Sequence, residues 1–437
     1  MTAPQLPNPF KIPELKEKLL FTLLCLLLYR IGAHITVPGV DAQATIDFFR
    51  NQGSQSLFGV YNLFVGGALS KATVFALGIM PYISASIFFQ IMGAVFPTIE
   101  RLQKDEEGRK KITQWTRYLT IGLAAAQAYG ITLFLESLQG AVPHPGLGFR
   151  IATAFTMTVG GVFIMWLGEQ ITERGIGNGM SLLIFFSIIE QALPATLRTI
   201  ESLKVGALTF PGLLALLVAM VLVVWFTVAI TVAARRIPIQ IPRKVMGRGR
   251  IREGQKSFIP LRINSAGVMP IVFAQSIIIV PGTMVQFSSI GFLRDLSELF
   301  QPTSWVYYVA YTALIVFFTF FYTAIIFNPV DLSENLKKQG GFIPGVKPGS
   351  RTAEYIDHVL SRITLPGSLF LATIAILPIV LLDRFGVPFA FGGTGLLIVV
   401  GVALDTVQQM QQHMILRQYD GFMKQGRVRF RGKQRFM

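Results

Sequence analysis

The residues that could carry chemistry are few, and their spacing assembles no reaction centre. The chain has four histidines, His34, His144, His358 and His413, and one cysteine, Cys25. They build no HExxH run and no Ser-His-Asp set, and no carboxylate pair stands in their place. Neither metal-assisted hydrolysis nor nucleophilic catalysis is therefore expected, and no cofactor is. A single thiol forms no intrachain disulfide and no cysteine-pair site. The sequence has no phosphate-cradling GxxxxGK[ST] run, so work done by this protein draws its energy from a partner. What the sequence offers instead is polar side chains set inside apolar runs (Glu190, Gln90, Gln127 and Gln275) and basic side chains collected between the runs.

The apolar runs set the frame. The 437 residues are 52% hydrophobic and only 14% charged, with a mean hydropathy of +0.55. Soluble domains carry about 25% charged residues, so a polytopic all-α membrane protein is expected. Ten spans are expected, at 19–37, 72–96, 115–138, 151–171, 180–200, 210–234, 266–287, 304–327, 365–382 and 392–413. No cleavable signal is expected, because the polar, proline-bearing start leads into a full-length run with no small-residue cleavage pattern. With the N-terminus in the cytoplasm, the great majority of the 39 Lys and Arg fall on the cytoplasmic side. Both termini are therefore placed inside, and the net charge of +16 is read first as orientation. The histidines then lie on both sides of the membrane and share no site.

Ten spans divide at the 203–209 loop into two sets of five. Five is odd, so the second set starts on the opposite side, and any structural repeat must be inverted. The organisation expected is a cytoplasmic N-terminus (1–18), an N-terminal half (19–202), a C-terminal half (203–412) and a basic tail (413–437).

The stretch 57–96 departs from a plain span. Gly66 and Gly67 follow an apolar segment, 57–65, that is too short to cross a bilayer, which takes about 20 residues. Ser70 and Lys71 then precede the long run 72–96. Non-helical backbone at membrane depth is tolerated only where it is buried in protein or lines a water-filled cavity. A gated pore is expected, with 57–70 sitting in it.

Two cytoplasmic loops carry the bulk. Residues 235–262 hold nine Lys and Arg against one acid, Glu253, and their flanks alternate with period two around a glycine-rich tip. A basic two-stranded projection follows, suited to ribosomal RNA or an acidic protein face; the alternative is that its charge only enforces orientation. Residues 328–364 read as a helix over 331–339, a stiff turn GGFIPGVKPG with Lys347 near its apex, and a helix from Ser350. Such a tip is built to be grasped, or else is an ordinary surface turn with a solvated lysine.

Several runs together resemble the SecY/Sec61-alpha family. They are GGALSKATVFALGIMPYISASI, GEQITERGIGNGMS (168–181), NSAGVMPIVFA (264–274), FNPVDLSENLKKQGGFIPGVKPG (327–349) and FGGTGLLIVVGVALDT (391–406). The resemblance covers nearly the whole chain, with the motifs in order. It implies a protein-conducting channel of the cytoplasmic membrane, with two inverted, pseudo-symmetric five-helix halves around an hourglass pore. By position, the ring at the pore's waist would be Ile79, Ile83, Met180, Ile184, Val272 and Ile398; Met180 stands where other members often carry isoleucine. The plug that closes the pore would be 57–70, with Leu57, Phe58, Tyr61, Asn62 and Phe64 on its helix and Gly66, Gly67 and Ser70 at its end. A lateral gate would open between the spans of Ser84 and Ser276, letting signal sequences and membrane segments pass to the lipid bilayer.

A collar of apolar side chains supports that assignment, because it gates by dewetting and yields around a chain of any sequence. Without the resemblance, each ring residue would read as ordinary helix packing. Gln90, Gln127 and Gln275 tune the gate or are plain interhelical glue. Arg30 and His34 are expected to snorkel outward, and Glu190, whose family counterpart is usually small and uncharged, to face the outer vestibule. Docking of the SecA motor or the ribosome would fall to Arg243, Lys244, Arg248, Arg250, Arg252 and Lys347. The family normally has arginine at Lys347, and the bidentate fork is lost with lysine, so Arg351 is a candidate to share the role. The resemblance also implies SecE and SecG as partners. A secondary transporter would need ionisable groups at the membrane midplane, for which Glu190 is the one candidate.

Overall fold

The computed structural model describes residues 12–51, 57–206, 209–240, 245–246, 250–251, 256–285, 304–385 and 393–425. In chain order, α1 (Pro13–Gly32), α2 (Ala42–Asn51) and α3 (Leu57–Phe64) lead to α4 (Met80–Val95) and α5 (Pro97–Lys104). Then come α6 (Glu106–Ser137), α7 (Leu147–Arg174), α8 (Gly179–Lys204) and α9 (Phe210–Val232). Four strands follow: β1 (Ala234–Gln240), β2 (Val245–Met246), β3 (Arg250–Ile251) and β4 (Lys256–Arg262). The chain closes with α10 (Met269–Val285), α11 (Trp305–Ile326), α12 (Pro329–Lys338), α13 (Ser350–Phe385) and α14 (Gly393–Gln425).

Every expected span holds a helix of 16 residues or more, and the starts have local causes. Asn178 caps α8 by accepting from the amides of Met180 and Ser181, and Thr209, Ser304 and Asn328 do the same for α9, α11 and α12. By length and hydropathy alone, five of the described helices suffice to cross a membrane, and six if α4 and α5, bent by 111°, count as one broken span. α9 is the most apolar of these and is almost wholly exposed, Leu214, Val221 and Trp225 included, as suits a helix in lipid. The molecule is a multi-pass membrane protein.

Helices α1, α4, α6, α7 and α8 pack together, as do α10, α11, α13 and α14. The two groups meet where α10 lies on α4 and α6 and where α8 lies on α14, with α3 lying against both α8 and α10. The largest buried cluster runs through both groups, from Tyr29, Phe75 and Ile164 to Ile271, Tyr311 and Ile398.

Three features differ from the sequence expectation. The second span does not begin at residue 72: residues 65–79 are successive turns, and helix α4 starts only at Met80, with Pro81 in its first turn. Gly66 and Gly67 take φ of +69° and +79°, which ends α3, and Ala72 is held at φ +45°. The turns are satisfied by the strand-like residues after α1, with Val37 N donating to Ala72 O and Val74 N to Ile35 O, each at 2.9 Å. Secondly, α14 runs without a break past residue 413, the expected end of the last span, to Gln425.

Thirdly, the two long loops, 235–262 and 328–364, are one module rather than two projections. Strands β1 and β4 pair antiparallel from Ala234↔Arg262 to Gln240↔Lys256, and Gln240 also bridges to Phe342 in the turn before α13. Their inward residues, Ile237, Ile239 and Leu261, share a small core with Leu336, Ile343 and Ile356.

Candidate functional site

A cavity of about 330 Å³ lies where α4, α8, α10 and α14 converge. Ile83, Met180, Ile184, Val272 and Ile398 all line it. Of these, Ile83, Ile184, Val272 and Ile398 are buried. Ile79 is buried too but stands just before α4 and is outside this wall. Two further residues join the wall at helical spacing, Val268 one turn from Val272 and Val402 one turn from Ile398. The i, i+4 spacing that pairs Met180 with Ile184 would have found both.

Beyond the apolar band the cavity turns polar. Arg117 of α6 holds Glu169 of α7 in a fork, Nε to Oε1 and Nη2 to Oε2, both at 2.9 Å. Thr172, Asn178 and Ser181 continue this mouth. The cavity thus passes from a polar mouth to an apolar wall.

Helix α3 sits across the inner seam. The Phe58 ring stacks on Phe134 of α6 with centroids 4.3 Å apart, and the Tyr61 hydroxyl donates to Leu77 O at 2.7 Å. Asn62 Oδ1 accepts from Ser70 N at 2.9 Å and Ser70 Oγ donates to Gly67 O at 2.8 Å, tying the end of the segment back onto its helix. Phe64 is buried; the side chain of Leu57 lies outside the described residues.

At the α4–α10 seam, Ser276 is buried and its Oγ donates to Val272 O at 2.9 Å and lies 3.5 Å from Met80 Sδ. The direct contact across the seam is thus Met80 with Ser276; the Ser84 hydroxyl is buried without a partner among the described residues. Gln90 donates to Ser86 Oγ at 3.0 Å and lines the polar side of the cavity. Gln275 is buried beside the Tyr307 hydroxyl, and Gln127, on α6, is buried with both amide atoms unpaired.

On the two-loop module, Lys347 is exposed at the turn, and its carbonyl accepts from Thr352 Oγ1 at 2.9 Å. Arg351 already faces Glu354 on its own helix, 3.4 Å away. Arg250 begins β3, its side chain outside the described residues, as are Arg243, Lys244, Arg248 and Arg252 altogether. On α5 the Lys104 ammonium, hydrogen-bonded at 2.8 Å, holds the Glu100 carboxyl below its usual range. Glu190 does not face an open vestibule but pairs with Arg30 of α1. Sequence spacing gave no sign of that pair, because its members are 160 residues apart.

A family model described as SecY matches residues 73–407. The chain belongs to the SecY family. Protein translocase subunit SecY of Aquifex aeolicus is 42% identical over 422 residues, covering 95% of this chain and 98% of that protein. The same subunit of Escherichia coli K12 is 43% identical, with 96% of each chain covered. Among solved structures, "The structure of a protein conducting channel" has a TM-score of 0.66 at 18% identity, covering 97% of this chain and 100% of that one. Sec61 in a canine ribosome–channel complex has a TM-score of 0.64 at 17% identity with the same coverage. At these identities the structures establish the SecY fold: ten helices in two halves, with a short helix between them.

Proposed function

We propose that the chain is the central subunit of a protein-conducting channel that passes unfolded preproteins across the cytoplasmic membrane and releases apolar segments sideways into lipid. The observation that carries this reading is the convergence of Ile83, Met180, Ile184, Val272 and Ile398, from four helices, on one cavity with a polar mouth. Apolar side chains that meet on an axis exclude hydrated ions by dewetting yet give way to a polypeptide. Ile79 extends the collar by one turn of the chain, and the segment 57–70 is the plug beneath it. The α4–α10 seam is the lateral gate, where Ser84, Gln90, Gln127, Gln275 and Ser276 set how easily the helices part. The protein moves its substrate without bond chemistry and is not an enzyme.

Force comes from partners on the basic loop module, and that module and both termini lie on the cytoplasmic side. Lys347, Arg351 and the basic hairpin from Arg243 to Arg252 are the surface for the SecA motor or the ribosome. SecE and SecG complete the assembly, as the family resemblance implies.

A disulfide across the seam tests the gate. Cysteines at Met80 and Ser276, in a Cys25→Ala background, are expected to cross-link under oxidant and stop both export and membrane insertion, with recovery on reduction. Undiminished transport through the cross-linked protein overturns the gate.

A further inference from the structure

One carboxylate has no part in the channel as described. Glu190 on α8 is only 11% exposed and pairs with Arg30 of α1. The residue before Arg30, Tyr29, shares a hydrogen bond of 2.7 Å with Ser187 Oγ, so adjacent positions on α1 make two polar ties to one turn of α8. The end of the plug rests on that same turn. A Cβ on Gly66 would stand 3.1 Å from the Ser187 backbone, and one on Gly67 would collide with the Gln191 amide. Glu190 therefore lies between the two residues on which the glycine turn is seated.

The charges around it are positive. Lys71, just past the plug, stands with its Nζ 3.1 Å from His34 Nε2, and His34 Nδ1 is 3.0 Å from the Arg30 carbonyl oxygen. That carbonyl can only accept, so Nδ1 donates, Nε2 is the bare acceptor and Lys71 donates to it. Arg30 is near enough to act electrostatically on Lys71. Among the described contacts of this cluster, Glu190 is the one carboxylate.

We propose that Glu190 is a positioning residue for the plug. It holds Arg30 against α8, neutralises the cations gathered at the turn, and keeps the seat of Gly66 and Gly67 fixed to α1. This rests on the plug reading above. Without the carboxylate, Arg30 and Lys71 repel across the turn, α1 loses a tie to α8, and the cleft that opens is lined by cations and admits anions.

The test is planar-bilayer recording of the intact assembly carrying Glu190→Gln, Arg30→Gln, the swap Arg30→Glu with Glu190→Arg, or deletion of 57–70. Glu190→Gln is expected to raise resting conductance about tenfold, the pair being partly exposed and so discounted from a fully buried one. In a KCl gradient its zero-current potential moves toward the chloride value, Arg30→Gln leaks without that preference, and the swap restores a quiet channel. Monodisperse elution of each assembly separates these effects from misfolding. A silent Glu190→Gln beside a leaking deletion refutes the proposal and leaves the plug reading standing. A leak without chloride preference, or one the swap does not repair, refutes it as well by reducing Glu190 to packing. A silent deletion overturns the plug reading and this proposal with it.

Discussion

Ile398→Asn puts the collar to its hardest test. Ile398 is 1% exposed and shares the cavity wall with Ile83, Ile184 and Val272. Removing a buried aliphatic side chain gives up about 2 kcal/mol. The amide put in its place faces apolar neighbours, and leaving it unpaired costs a further ~1–3 kcal/mol. Both costs fall on the closed state alone, because once the collar parts, position 398 meets water or a passing chain. A shift of about 3 kcal/mol moves the closed-to-open ratio by roughly 100-fold, at 1.4 kcal/mol per tenfold. Resting conductance is expected to rise, and a preprotein with a disrupted apolar signal core is expected to be exported. Leu371→Asn supplies the control, since Leu371 is 2% exposed but has no place on the cavity. It should lower stability without a leak. Normal conductance and normal stringency in Ile398→Asn, or an equal leak from Leu371→Asn, would refute the collar.

Other sites give narrower expectations. Lys347→Glu reverses an exposed charge at the module's tip and should cut SecA-driven export severalfold while sparing insertion of membrane segments; assaying both in the same vesicles decides it, and an effect on neither leaves the tip a plain turn. Gly67→Val forces a branched side chain into φ +79° and against Gln191, costing at least ~1 kcal/mol of backbone strain. A lower unfolding temperature together with a raised ion leak is the expected pair of results. Ile239→Asp buries a carboxylate in the core that joins the hairpin to the turn before α13, a loss of about 3 kcal/mol or more. Trypsin should then cut the basic hairpin far faster than in the parent protein, and an unchanged digestion rate would show that the two loops do not depend on each other.

Much of the fold was legible because membrane spans advertise themselves by length and apolarity. The ten helices fall where the apolar runs fall, and the i, i+4 pair Met180 and Ile184 does share one face toward the cavity. Two things resisted. The turns over 65–79 are as apolar as a helix, so composition could not separate them from a span; the positive φ at Gly66, Gly67, Ala72 and Gly78 and the bonds to residues 35 and 37 do so. The pairing of residues far apart in sequence was equally invisible. Arg30 with Glu190, Arg117 with Glu169, and Ile239 with Leu336 all depend on how elements dock, a matter on which local pattern is silent.

In the channel reading proposed above, one helix governs gate, collar and plug together. Val272 and Ser276 stand one turn apart on α10, the first in the cavity wall and the second against Met80 of α4. The same helix touches α3. On that reading, a chain that wedges α10 away from α4 withdraws Val272 from the cavity wall and removes one of the walls that hold α3, the others being α8 and the Phe58–Phe134 stack on α6. The α8 wall stays behind, tied to α1 through Tyr29–Ser187 and Arg30–Glu190. The proposed channel would then open sideways and across the membrane by a single movement of α10 against the α1–α8 pair. Variants that loosen the Met80–Ser276 contact should raise the leak and relax the signal requirement in parallel, and a variant that separates the two effects would show that the seam and the collar move independently.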